Sequence, residues 1–307
     1  MGPGKHLDPF MPEMGTWDMD GLETLEVREL SPVLGAEILG LDLSKPLSGA
    51  VVEQIRELWL KYCVLVIRGE EITQEEQLRF AANFGTLGER KRAKSALKKA
   101  TEGIYQNEPH TLLVSNITVD GKPIGAFGEG DMWFHIDAGY TERPYKHTFL
   151  YGVELPSSGG DTLFANGYMA YDALSDDLKK KITGRKALHI HQYKRSAEVD
   201  LSEDISKSPH WYHPMVVTHP ETGRKSLFVD RLMTAAIEGM DADESKDLLS
   251  QLFDHIERAE FIYAHQWALH DLVMWDNRCL VHGRTYFPED EDRLLRRCTI
   301  EGEPVHE

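Results

Sequence analysis

Beyond Trp133 the chain breaks into short β-rich runs separated by Gly, Pro and Asp clusters, and this rhythm limits what it can fold into. The runs fall at 147–153, 161–165, 187–191, 215–218, 226–229, 271–275 and 297–300. Strands this short and closely spaced bury their apolar faces only by stacking, as a sandwich or jelly roll. Two stretches of helical spacing, 171–181 and 243–256, interrupt the series, and Asp241 or Asp243 can cap the second. Upstream, Val51, Val52, Ile55, Leu58, Trp59 and Tyr62 recur at three- and four-residue intervals, which predicts an amphipathic helix over 49–62. The β-rich run 63–67 ends in Arg68-Gly69 and predicts a buried strand. Thr73, with Glu76 three residues later, has the form of a capping box that opens a second helix reaching Phe84.

Pro3, Pro9 and Pro12 lie among glycines with no hydrophobic period, so residues 1–21 are expected to form a tail. A single domain is expected over 22–307, with a variable lid at about 88–130 where the pattern weakens into charge, Gly and Pro. A chain of 307 residues that is 41% hydrophobic has apolar material enough for such a domain. Cys63, Cys279 and Cys298 lie far apart without CxxC spacing, which speaks against a disulfide framework or a structural zinc site and for a cytoplasmic setting. No secretory leader is expected in the first twenty residues, and the longest apolar run, 63–67, is too short to span a bilayer.

The formal net charge of −17 opposes a nucleic-acid backbone, so no nucleic-acid partner is expected. Against that background Arg90, Lys91, Arg92, Lys94, Lys98 and Lys99 form a local basic run. It reads either as a solvated face or as a wall that attracts an anionic substrate.

The sharpest chemical feature is His135-Ile136-Asp137, because side chains two apart on an extended strand share a face. An imidazole and a carboxylate so placed can bind one metal, and a second histidine from a distant strand would complete the two-histidine, one-carboxylate set typical of non-haem iron(II) oxygenases. The tripeptide alone is common, and a hydrogen-bonded strand pair is the plainer reading. His189 with His191, and His210 with His213, could be drawn as further metal pairs. Neither has a third partner at a recognisable spacing, so both read as surface or hydrogen-bonding groups.

Near the C-terminus, Trp275-Asp276-Asn277-Arg278-Cys279-Leu280-Val281-His282 precedes an arginine-rich strand from Arg293 to Ile300. With His135-x-Asp137, and with Gly159-Gly160-Asp161-Thr162 placing Thr162 twenty-seven residues after His135, the chain resembles the taurine dioxygenase and chlorophenoxyacetate dioxygenase family of Fe(II)- and 2-oxoglutarate-dependent oxygenases. Gly40 to Leu47 and Phe84-Gly85-Thr86-Leu87 follow the family's N-terminal pattern, and the likeness covers roughly 25–305. Val114-Ser115-Asn116 and His265-Gln266-Trp267-Ala268 most resemble its aryloxyalkanoate-oxidising branch.

The resemblance implies a mainly β fold with flanking helices around a double-stranded β-helix, or jelly-roll, core. It implies iron held by His135, Asp137 and His282, with 2-oxoglutarate and dioxygen as co-substrates. Arg297, fifteen residues after His282, is the implied partner of the far carboxylate of 2-oxoglutarate, with Thr162 beside it and Arg293 as second choice. Arg293 could instead meet an acidic group of the substrate. Asn116, Asp131, Arg92 and Lys94 are the expected substrate contacts. The implied reaction couples oxidative decarboxylation of 2-oxoglutarate to hydroxylation of a small anionic compound, such as an aryloxyalkanoate, whose ether would then cleave through a hemiacetal. A biosynthetic oxygenase acting on an amino-acid derivative, a non-catalytic jelly-roll binding protein and a zinc hydrolase are the competing readings. Assembly as a dimer or tetramer is a further implication.

Departures from the family pattern bear on the substrate. His270-Asp271 stands where Gly-Asp is usual, Asp131 replaces an asparagine, and the basic run replaces the sulfonate-recognising histidine, which argues against taurine.

Overall fold

Period-two alternation separates two faces of the main sheet. In strand Val64–Ile67, Val64 and Val66 join one buried cluster with Phe164 and Leu280, while Leu65 and Ile67 join another with Ile55, Trp59 and Phe80. Strand Leu272–Asp276 repeats this, with Val273 and Trp275 on the first side and Leu272 and Met274 on the second. The computed structural model of the protein describes residues 24–307 apart from 70, 90–108, 129, 193, 195 and 203.

The main sheet runs Glu26–Glu29, Ala36–Leu39, Val64–Ile67, Leu272–Asp276, His147–Glu154, Leu294–Ile300, Leu112–Ser115 and Ala126–Phe127 in spatial order. A second sheet, in the order Ile262–His265, Thr162–Asn166, Leu280–Arg284 and Met132–His135, supplies the Phe164 and Leu280 side of the shared core. These two packed sheets form the jelly-roll core. Helices cover the outside of each. Gly49–Tyr62, capped by Ser48, and Gln74–Ala82, opened by the reciprocal Thr73 and Glu76 capping box, pack on the main sheet. Ala242–Ile256, capped by Asp241, packs with the elements around the smaller one.

The helix expected over 171–181 is instead two short helices, Gly167–Asp172 and Asp176–Ile182. Each has its own cap: Asn166 accepts from the backbone N–H of Tyr168 and Met169, and Ser175 from that of Leu178. A capping serine takes an extended backbone, so a single helix cannot run through it. Within 88–130, Leu112–Ser115 pairs with Leu294–Ile300 as part of the main sheet, whereas Arg92, Lys94 and the rest of the basic run lie outside the described residues. No helix among the described residues is long and apolar enough to cross a membrane.

Two buried histidines make this packing sensitive to acid. His147 stacks on Trp59 with ring centroids 4.0 Å apart, His213 reaches the Thr141 carbonyl, and burial pushes both imidazoles down to about 3. Both are neutral in the fold, whereas in the unfolded chain they take up protons near pH 6.5. Their stabilisation is therefore present above pH 6.5 and lost as pH falls from there toward 3. The slope is at most about 1.4 kcal/mol per pH unit for each group. Urea unfolding at pH 7 and pH 5 should show a lower midpoint at pH 5, and His213→Phe should reduce that difference.

Candidate metal and active site

Strand pairing brings the two imidazoles together. Met132–His135 lies antiparallel to Leu280–Arg284 with His135 directly opposite His282, and their ring centroids are 4.1 Å apart. Asp137 follows just beyond its strand, where no ladder bond fixes it. Asn277 does so instead: its side-chain oxygen accepts the Asp137 N–H at 2.9 Å, and its amide nitrogen donates to the carbonyls of Asp137 and Tyr145. One ligand atom from each of His135, Asp137 and His282 lies within 4.8 Å of the others, the one such cluster among the described residues.

The protonation of these groups suits a cation. Burial works to raise the Asp137 carboxyl, but the Arg297 guanidinium foremost, with the Thr148 hydroxyl, holds it down at about 2. Burial drives His282 well below the usual imidazole range, so it is neutral. The His135 Nδ1 meets the Trp133 carbonyl at 3.0 Å, which makes Nδ1 the donor and turns Nε2 toward Asp137. Two imidazoles on paired strands and an ionised acid just beyond one of them fit iron(II).

The carboxylate of Asp137 is aimed by two further contacts. Thr148, fully buried on strand His147–Glu154, donates its hydroxyl to Oδ2 at 2.7 Å, and Arg297 Nη1 stands 2.9 Å from Oδ1. Thr148→Val keeps shape and burial but removes that donor. It should weaken Mn(II) binding about 10- to 100-fold, measured by titration, with Thr148→Ser restoring affinity; unchanged affinity in the valine variant would remove Thr148 from the site.

Arg293 is only 2% exposed, and its Nη2 donates to the Gly160 carbonyl at 3.0 Å. Its Nε has no partner, and burial, with Arg284 nearby, lowers the guanidinium to about 9. A buried cation with an unanswered donor is costly unless an anion joins it. The Gly159-Gly160 turn makes room for it. Both glycines have φ near +70°, and a Cβ on Gly160 would stand 2.9 Å from Arg293 Nε. Thr162, two residues on, lines the same cavity as Arg293, Arg297 and the three metal-binding candidates.

The other expected contacts are placed differently. Asn116 is not brought to the cavity: its amide donates to the Glu291 carbonyl and accepts the Arg293 N–H, so it braces the segment that presents Arg293. Asp131 is exposed and does not line the cavity. The His189 and His191 pair forms no second centre. His189 is buried beside Asp230 and Thr234, while His191 lines the cavity and stacks on Tyr140 at 4.7 Å. His210 and His213 lie on strand His210–Pro214, and His213 bonds to the Thr141 carbonyl. Trp275 packs against His282, ring centroids 4.7 Å apart, and reaches the cavity wall.

Sequence reasoning left Asn277, Thr148 and Trp267 without roles. Asn277 and Trp267 stand within the quoted motifs, a signal that could have found them, but Thr148 carries no local mark.

Comparison with known proteins matches this architecture. The profile described as "Taurine catabolism dioxygenase TauD, TfdA family" matches residues 26–299. The alpha-ketoglutarate-dependent 2,4-dichlorophenoxyacetate dioxygenase of Cupriavidus pinatubonensis is 33% identical over 282 residues, covering 88% of this chain and 95% of that protein. The (S)-phenoxypropionate/alpha-ketoglutarate-dioxygenase of Sphingobium herbicidovorans is 32% identical, covering 92% of this chain and 96% of that one. Among solved structures, AAD-2 in complex with Mn(II) and N-oxalylglycine superposes with a TM-score of 0.81 at 32% identity, covering 92% of this chain and all of that one.

Proposed function

The chain belongs to the TauD/TfdA family of 2-oxoglutarate-dependent dioxygenases, and from that premise we propose that it hydroxylates a small anionic substrate of the aryloxyalkanoate type at a metal held by His135, Asp137 and His282. The enzyme uses Fe(II), 2-oxoglutarate and dioxygen, as its family does. Bound at the triad, iron(II) with these co-substrates supplies the oxidative decarboxylation that releases succinate and carbon dioxide and the oxidising equivalent that hydroxylates the substrate.

The protein's own residues divide the cavity into two anion sites. Arg293, with its unpartnered buried Nε, and Thr162 hold the far carboxylate of 2-oxoglutarate, which reverses the order of the two arginines expected from the sequence. The reason is position: the Arg297 guanidinium already lies against the metal-binding carboxylate. From there it serves as the anchor for the substrate's acidic group, holding the reacting carbon near the metal. Met132, Phe127, Leu232 and Met233 give the organic body an apolar wall that excludes water. Hydroxylation next to an ether oxygen gives a hemiacetal that collapses to a phenol and a carbonyl compound.

The observation behind this reading is the meeting in one cavity of the triad with Arg297, which lies against Asp137, and Arg293, whose buried Nε has no partner, beside an apolar wall of Phe127, Met132, Leu232 and Met233. Incubation with Fe(II), 2-oxoglutarate, air and a panel of carboxylates tests it. Aryloxyalkanoates should give phenol and succinate in equal amounts. Succinate driven by amino-acid derivatives, with none from aryloxyalkanoates, would overturn the substrate class in favour of a biosynthetic role.

A further inference from the structure

The Trp267 indole N–H lies 3.1 Å from Thr162 Oγ1. An indole nitrogen only donates, so in this contact the threonine oxygen must accept. Among the described residues Thr162 Oγ1 has no other hydrogen-bond partner, and the side chain is 4% exposed on the wall of the cavity. Its own hydroxyl hydrogen is therefore left without an acceptor in the protein.

From this geometry we propose that Trp267 is a positioning residue that sets the polarity of the Thr162 hydroxyl, committing it to donate to the far carboxylate of 2-oxoglutarate. The inference rests on the proposed role of Thr162 and adds the reason for its direction. A free hydroxyl rotates and can offer a lone pair, which repels a carboxylate. With one lone pair occupied by the indole, the hydrogen is steered away from Trp267 and into the cavity, toward the space beside Arg293. The negative charge then meets two donors, one neutral and one cationic.

The segment carrying Trp267 is fixed for this task. It follows strand Ile262–His265 and returns into strand Leu272–Asp276 through Asp271, a fully buried acid. One oxygen of Asp271 receives the Ala268 N–H at 3.0 Å and the Arg68 guanidinium at 2.6 Å, and lies 3.1 Å from His265 Nε2. The backbone of the turn is tied to the main sheet as well, since Gly152 N–H donates to the Asp271 carbonyl and His270 N–H to the Gly152 carbonyl, both at 3.0 Å. His270, at φ +66°, completes the turn. These bonds hold the indole against strand Thr162–Asn166, where His265 faces Thr162 in the ladder.

The test is binding of N-oxalylglycine and of 2-oxoglutarate to the Mn(II)-loaded protein by calorimetry, in a double-mutant cycle of Trp267→Phe and Thr162→Val. Phenylalanine keeps the ring and removes only the N–H. Trp267→Phe should weaken both ligands about threefold to tenfold, the worth of one neutral hydrogen bond, with Mn(II) affinity unchanged. In the Thr162→Val background the same change should have no further effect, and Thr162→Ser should restore the dependence on Trp267. Equal losses from Trp267→Phe in both backgrounds would overturn the inference while leaving Thr162 as a ligand contact. Full affinity in Thr162→Val would overturn the role of Thr162 itself, and the inference with it. If Trp267→Phe fails to fold, Trp267→Leu, which likewise lacks the N–H, enters the same cycle and decides between the same two outcomes.

Discussion

His135→Ala is expected to abolish substrate-dependent succinate formation and to lower Mn(II) or Fe(II) affinity by more than about 100-fold, since losing even an outer hydrogen bond at a metal site costs about 10- to 100-fold. The fold should survive. The His135 side chain is 12% exposed at the end of its strand and is not part of the hydrophobic clusters, so its truncation opens a gap toward the cavity rather than in the core. The neighbouring groups also tolerate the loss, because Asp137 keeps Arg297 and Thr148, and His282 is already neutral. Metal titration and circular dichroism on the same sample separate the two effects. Undiminished turnover in this variant would end the assignment of the triad.

The second large effect separates the two arginines. Arg293→Met should raise the Michaelis constant for 2-oxoglutarate about 100-fold, corresponding to about 3 kcal/mol for removing one partner of a buried charged pair, while the constant for the organic substrate changes little. Without 2-oxoglutarate the variant should be at least as stable as the parent. The side chain it replaces is a buried cation whose Nε lacks a partner, and methionine is of similar length and apolar. Arg297→Met should do the reverse, raising the constant for the substrate and leaving that for 2-oxoglutarate nearly intact. Thermal unfolding with and without 2-oxoglutarate provides an independent reading, because stabilisation by the ligand should vanish in Arg293→Met alone. A large shift for 2-oxoglutarate in Arg297→Met, with none in Arg293→Met, would restore the order expected from the sequence.

Much of the frame was legible because it depends on neighbours along the chain. The helix Gly49–Tyr62 has the bounds that its apolar spacing predicts, and Thr73 with Glu76 closes the capping box that their spacing suggests. The candidate site was legible in part. His135 and Asp137 were marked by their spacing, and His282 by the motif before it, yet Asp137 proves to lie outside its strand, held by Asn277 140 residues away. Strand Glu26–Glu29 and strand Ile262–His265 escaped notice because neither shows a clear apolar alternation, and their pairing partners create them.

The amino-acid order by itself determined where the chain turns, which faces of its strands are apolar, and which kinds of ligand are present. Only the tertiary structure decided what surrounds each of the two arginines. Four residues apart on a strand, Arg293 and Arg297 look equivalent, but a register shift at Leu294/Leu295 and the Gly159-Gly160 turn place one beneath a backbone carbonyl, while pairing across the sheets places the other against Asp137. Local periodicity is set by bond geometry within a few residues. The electrostatic neighbours of a charge are set by segments more than a hundred residues away, and these meet only when the sheets pack.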